Sequence, residues 1–205
     1  MITQTHVPSR RTVLAGALGL SALGSAAAAG PAAAALGDPA IPSDPDDAYF
    51  LSIPGIPGEA TTKGFEGQIE LLTWAWGVDA PAVIGGGGGG GGAGKATSRE
   101  VITLADSGIQ SPTLLLDTNT GRHLTTALLS CVRKPKKPFT FMTLKFDDVL
   151  VTSYAVTPDP TNGLPLDLVR LAFGKVTYTV IPQNADGTPG TPVSSVFDYG
   201  KNQAS

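Results

Sequence analysis

Six segments of this 205-residue chain share one character, and together they restrict it to a sheet-based fold. They are AYFLSI, GQIELLTWAWG, SREVITL, RHLTTALLSCVR, FTFMTLKFDDVLVTSYAV and LPLDLVRLAFGKVTYTVIP. Each is rich in Thr, Val, Leu and aromatics, and Gly, Pro or Asn punctuates the gaps, which is the signature of strands. The fold is therefore expected to be mainly β. One segment breaks the pattern. SPTLLLDTNTG predicts a short helix, with Ser111 at the N-cap, Pro112 at the first helical position and Gly121 left-handed past the end. In LTWAWG the alternation of a strand puts Leu72, Trp74 and Trp76 on one face, expected to be core, and Thr73 with Ala75 on the other. Cys131 is the single cysteine, so no disulfide forms within the chain and packing must supply the stability.

The opening of the chain is read separately. Ser9 precedes the tandem Arg10 and Arg11, an apolar region follows from Val13 to Leu23, and a tail of small residues ends it. This is the layout of a twin-arginine export signal. Eleven apolar residues are too few to span a bilayer as a helix. Cleavage after Ala29 or after Ala35 satisfies the small-residue pattern, so residues 1–35 are assigned to a signal peptide. Residues 36–47, dominated by Pro, Asp, Ala and Ser without apolar periodicity, read as a disordered linker. Residues 48–203 form one domain. Removing residues 1–35 deletes two arginines and no acids, so the mature charge is 12 − 17 = −5. An acidic chain of this kind has no electrostatic drive toward nucleic acid or an anionic membrane surface.

The glycine run Gly85 to Gly92, followed by Ala93, Gly94 and Lys95, meets the spacing of a phosphate-binding loop. That motif needs a hydroxyl after the lysine and a helix directly behind it. Ala96 occupies the hydroxyl position, and the segment that follows reads as a strand. Eight successive glycines satisfy the spacing by chance, so the run is read as an inter-strand loop.

Few residues are left to carry chemistry. His123 is the only histidine of the mature chain, and with one cysteine beside it no thiolate–imidazole zinc site can be assembled. Asp147 and Asp148 are adjacent and point to opposite faces of a strand. His123 reads as the residue that ends a turn at a strand entrance, and Cys131 as a packed thiol. The basic run RKPKKP, residues 133–138, reads as a solvated hairpin connection. No cofactor, metal or catalytic residue is expected.

Several blocks carry a family resemblance. IPGEATTKGFEGQIELLTWAWG resembles the start of the haemolysin-coregulated proteins (Hcp), the tube subunits of type VI secretion systems. GGGAGK, SPTLLLDTNTGRHLTTALLSCVRK, LKFDDVLVTSY and LVRLAFGKVTYTVIPQ are similar to that family in the same order, over nearly the whole mature chain. The resemblance implies a β-barrel-like sandwich of two sheets with one short helix. It also implies assembly into a homo-hexameric ring whose channel Ala75 would face, with stacked rings, sheath or spike partners, and a small protein or peptide as cargo. Two positions depart from the family. Phe65 stands where KGHEG often has histidine, and tube subunits, assembled in the cytoplasm, carry no cleavable export signal.

Three functions are thus carried forward: a ring-forming structural protein, a stand-alone exported binding or effector-carrier module, and, weakest, an enzyme. The export reading is directly testable. Changing Arg10 and Arg11 together to lysine is expected to leave the precursor inside the cell, as followed by fractionation, because the export receptor reads the pair as an address.

Overall fold

A computed structural model describes residues 47–83, 92–133 and 139–204; the signal segment, most of the glycine run and the lysines after Arg133 lie outside the described residues. The strands are β1 (Asp47–Ser52), β2 (Ile69–Ala75), β3 (Val78–Asp79), β4 (Ala82–Val83), β5 (Gly92–Ala93), β6 (Thr97–Ser98) and β7 (Val101–Asp106). Helix α1 (Ser111–Thr120) follows, then β8 (His123–Arg133), β9 (Phe139–Pro158), β10 (Pro165–Val180), β11 (Val193–Asp198) and β12 (Gln203–Ala204). β1 begins at Asp47, one residue before the expected domain start. Each of the six segments singled out above contains a strand.

The main sheet has the order β12-β11-β10-β7-β2-β1-β8-β9, and β9 returns to pair with β10. That last pairing closes the sheet into a barrel. It runs from Pro165 opposite Pro158 to Val180 opposite Met142. The first half of β10 has β7 on its other side, Leu166 to Leu171 facing Asp106 to Val101. Its second half has β11 there instead, Lys175 to Val180 facing Asp198 to Val193. Two short ribbons, β3 with β6 and β4 with β5, stand outside the main sheet. Gly85 to Gly91 therefore connects the two strands of a ribbon, and Lys95 is followed by β6 and not by a helix. That local order removes the phosphate-loop reading.

The barrel interior is the main core. Leu51, Leu129, Leu144, Phe146, Val149, Val101 and Leu171 are buried in it. Phe146 sits at its centre, with the rings of Trp76 and Phe173 at 6.1 and 4.6 Å. A second, smaller cluster lies on the outer face of β1 and β8. There Ala48, Phe50 and Val132 are covered by Ala60 and by Phe65, which stacks on Phe50 at 4.5 Å. The loop that brings Phe65 over is held by backbone bonds, among them Gly58 N–H to Gly67 O and Gly67 N–H to Ala60 O. A Cβ on Gly58 would collide with the backbone of Gln68, so glycine is required there. The family position often filled by histidine is thus an apolar lid on β1.

The facing of β2 departs from a simple alternation. Leu71 pairs with Ala105 and Thr73 with Leu104, so Leu72 is an extra residue in β2 and forms a bulge. Alternation restarts after it. Ile69 and Leu71 face the core before the bulge, and Trp74 and Trp76, partly buried, pack against the same core after it. Leu72 is only half-buried, and Thr73, expected on the uncovered face, is 3% exposed at this bend.

Truncating Phe146 to alanine is expected to lower the unfolding free energy by about 3–5 kcal/mol, through lost transfer energy and the cavity left behind. Trp76→Ala, at a half-buried position, should cost less. Urea unfolding of the two variants beside the wild type measures both.

Candidate functional site

Three features outside the apolar core bear on function: the seat of α1, the pair around His123, and the outer face of the barrel that carries Ala75.

α1 closes one end of the barrel. Its Leu114 belongs to the main core, and its N-terminus is tied to Asp167, a carboxylate 1% exposed on β10. Asp167 accepts hydrogen bonds from Ser111 Oγ at 2.5 Å, Ser107 Oγ at 2.7 Å, Tyr154 OH at 2.8 Å and Gln110 Nε2 at 3.4 Å. Ser111 is therefore not the N-cap. Gln110 occupies that position without a side-chain cap bond, because the Ser111 hydroxyl is donated to the buried carboxylate while it accepts from Gly108 N–H. A buried charge left short of donors costs far more than a missing cap. The other end follows the sequence reading: Pro112 opens the helix and Gly121 closes it with φ 63°. Burial, together with the bond to Asp167, raises the Tyr154 phenol above its usual value. The sequence signal for this cluster was an acid inside an otherwise apolar strand, LPLDLVRL, and the reading passed over it.

His123 opens β8, as expected for a strand entrance, and its Nε2 lies 3.0 Å from Asp148 Oδ1 with both side chains exposed. Asp148 has φ 66°, in the left-handed region, at the position facing Gly174, where the register itself is unbroken. A Cβ on Gly174 would press on the Asp148 side chain. Asp147 turns away to Lys145 at 2.8 Å, so the two adjacent acids do separate. Cys131 lies on the same strand as His123, eight residues on, which is about 26 Å along an extended strand. No nucleophile–base pair arises from them. The thiol is buried, and that burial pushes its pKa up to about 12. Among the described residues no group of three His, Cys, Asp or Glu side chains could hold a metal ion, and no helix is long and apolar enough to cross a membrane.

Ala75 lies opposite Ile102, which lies opposite Arg170, which lies opposite Ser153. Directly opposed residues share a face. These four thus form one row across β2, β7, β10 and β9, all half-buried. Thr73, Leu104, Leu168 and Ala155 form the neighbouring row. The core side chains Trp74, Thr103, Val169 and Tyr154 lie between them on the opposite face. Ala75 is thus on the outer surface of the barrel, in a smooth band with Arg170 its only charge over these two rows. Arg10 and Arg11 lie outside the described residues.

Comparison with known proteins accords with this architecture. Residues 50–180 match the family model of the type VI secretion system effector Hcp, and the chain belongs to that family. In fold it is similar to a type VI secretion system protein at 22% identity and a TM-score of 0.73, covering 77% of this chain and 99% of that one. Hcp1 from Salmonella typhimurium is similar at 20% identity and a TM-score of 0.65, over 78% of this chain and 99% of its own. A type VI secretion system effector from Yersinia pestis is similar at 23% identity and a TM-score of 0.58, over 73% and 98%. No curated protein matches the chain in sequence.

Two outcomes follow from the site. Asp167→Ala removes the common acceptor of four donors and is expected to destabilise the domain by about 3 kcal/mol or more, with Ser111→Ala costing about 1–2 kcal/mol. Chemical unfolding compares them. Cys131 is expected to resist a thiol reagent at pH 8 in the native protein and to react fully in denaturant, since the thiolate is the reactive form; absorbance of the released chromophore reports both.

Proposed function

We propose that this Hcp-family chain is an exported, non-enzymatic structural protein. Its mature form assembles as a homo-hexameric ring around a channel that holds a small protein or peptide. The observation that carries the reading is the band of two rows on the outer face of β2, β7, β10 and β9, which holds Ala75. It is nearly uncharged, built from small and aliphatic side chains, and backed by the rigid core. A surface of that kind suits the lining of a wide channel. The solved relatives of the same fold bear type VI secretion names, which supports a tube subunit. A closed ring is the natural product of a heterologous interface whose rotation closes. Stacking of rings, and sheath or spike partners, belong to the same reading. Nucleic acid and stable membrane insertion do not, given the mature charge of −5.

A second reading rests on Arg10 and Arg11. A twin-arginine substrate crosses the membrane already folded, away from a cytoplasmic sheath. The same ring would then act as a stand-alone carrier or binding module outside a contractile machine.

Light scattering on purified protein tests the assembly. The wild type is expected at six times the mass of one chain, and Ala75→Gln is expected to fold and keep the ring while binding any channel cargo differently. A wild type that stays monomeric at high concentration would overturn the ring. An Ala75→Gln variant that unfolds would show that this band is not a free lining.

A further inference from the structure

One charge on the outer face of the barrel has no counterpart. Arg170 stands in the half-buried row that Ala75 begins, and the row beside it, Thr73, Leu104, Leu168 and Ala155, is uncharged. Among the described residues the other three arginines, Arg99, Arg122 and Arg133, are each paired with an aspartate. Arg170 is not: no carboxylate of a described residue comes within ion-pair distance of it, Glu100 just before β7 included. The same strand shows how a cation is otherwise offset. Lys175, five residues on, lies opposite Asp147 on β9 and Asp198 on β11, whereas Arg170 lies opposite Ser153 and Ile102. Toward α1 the outer face carries an acid at Asp106, opposite Leu166 and about 13 Å along β10 from Arg170. A guanidinium sheds its weak hydration more readily than an ammonium and offers donors in a planar fork that matches a carboxylate. Half-buried among small and aliphatic side chains, it gains more from a carboxylate than a fully exposed cation does, because water and salt screen the pair less.

We propose that Arg170 determines the specificity of this band, by binding a carboxylate of a peptide segment that is acidic and otherwise aliphatic. The proposal rests on the reading of the band as the cargo surface, and it names the chemistry of that cargo. Charge complementarity selects the occupant. An incoming carboxylate supplies the counter-ion that the fold withholds from Arg170, and the aliphatic side chains of Leu104, Leu168 and Ile102 on either side suit apolar residues flanking the acid. Protein contact surfaces have this composition at their centres, depleted in charge but with arginine retained as an anchor. Nucleic acid fits the band poorly. The two rows hold no aromatic ring on which a base could stack, and one cation per chain makes a weak track for a phosphate backbone. In a six-membered ring, symmetry sets six copies of Arg170 at one level of the channel, where the walls focus their common field. A basic segment is repelled there, and a cargo with several acids engages several copies at once.

The test uses the full 205-residue chain and fluorescence anisotropy with two rhodamine-labelled peptides, one of Leu, Ser and Glu and its twin with Gln for every Glu. At low salt the wild type is expected to bind the acidic peptide at least about tenfold more tightly than the twin, and added salt should narrow the gap. Arg170→Gln should remove the preference at an unchanged unfolding midpoint. Arg170→Lys should keep part of it, since it retains the charge without the fork. A wild type that binds both peptides equally, or neither, would overturn the proposal, as would a preference that survives Arg170→Gln. Oligothymidylate captured more tightly than the acidic peptide would also overturn it, because the site would then read phosphate. Light scattering on the same samples separates this proposal from the ring. A one-chain mass with the Arg170-dependent preference intact refutes the ring and not the site, and a six-chain mass without the preference refutes the site and not the ring.

Discussion

Everything in this fold depends on the pairing of β10 with β9, which turns an open sheet into a closed one. A sheet left open at β9 would expose a long ladder of unpaired backbone groups. Closure instead places Leu144, Phe146, Val149 and Val151 of β9 and Val169, Leu171 and Val176 of β10 against a common interior. Closing a barrel requires local bending, and the irregularities fall where the bending is needed: between Arg170 and Leu171, at Leu72, and at Asp148 opposite Gly174. Each resets which residues face inward.

The division of β10 between two neighbours follows from that closure. Its first half sits beside β7 and its second half beside β11, so one end of the barrel is complete and the other is flared. At the complete end a buried carboxylate gathers four donors from the α1 entrance, β9 and the turn before the helix. Asp167 is costly to bury, and hydrogen-bonded burial fixes where the helix sits. At the flared end, core-facing side chains such as Tyr178, Val180 and Val193 meet solvent or whatever covers them. The barrel is thus polar in the sense of having two unlike ends, which suits heterologous association better than self-complementary pairing.

The chemistry of the molecule agrees with a structural role. His123 and Asp148 are paired on the surface, Cys131 is buried eight residues away on the same strand, and Asp147 is held by Lys145. The band around Ala75 holds Arg170 alone as a charge. What the fold offers is surface: a smooth outer face, an apolar lid at Phe65 and an apolar mouth.

Strand positions were legible in the sequence because the period of two and the Gly and Pro punctuation are local signals. The end of α1 was legible for the same reason, since Gly121 answers a local backbone demand. β11 and β12 were not. VSSVFD is short and its apolar residues are interrupted by two serines, so only pairing with β10 defines it as a strand. The facing of Leu72, expected on the face of Trp74 and Trp76, was not legible, because a bulge is set by the partner strand, and β7 is distant in sequence. Ser111 was read as a cap because its partner Asp167 lies 56 residues on, where nothing local announces it. The sequence by itself determined the β class, the helix and the family, all of which rest on local periodicity and collinear motifs. Tertiary structure decided which acid is buried, where β2 bulges and which end of the barrel stays open, because those depend on contacts between strands far apart in the chain.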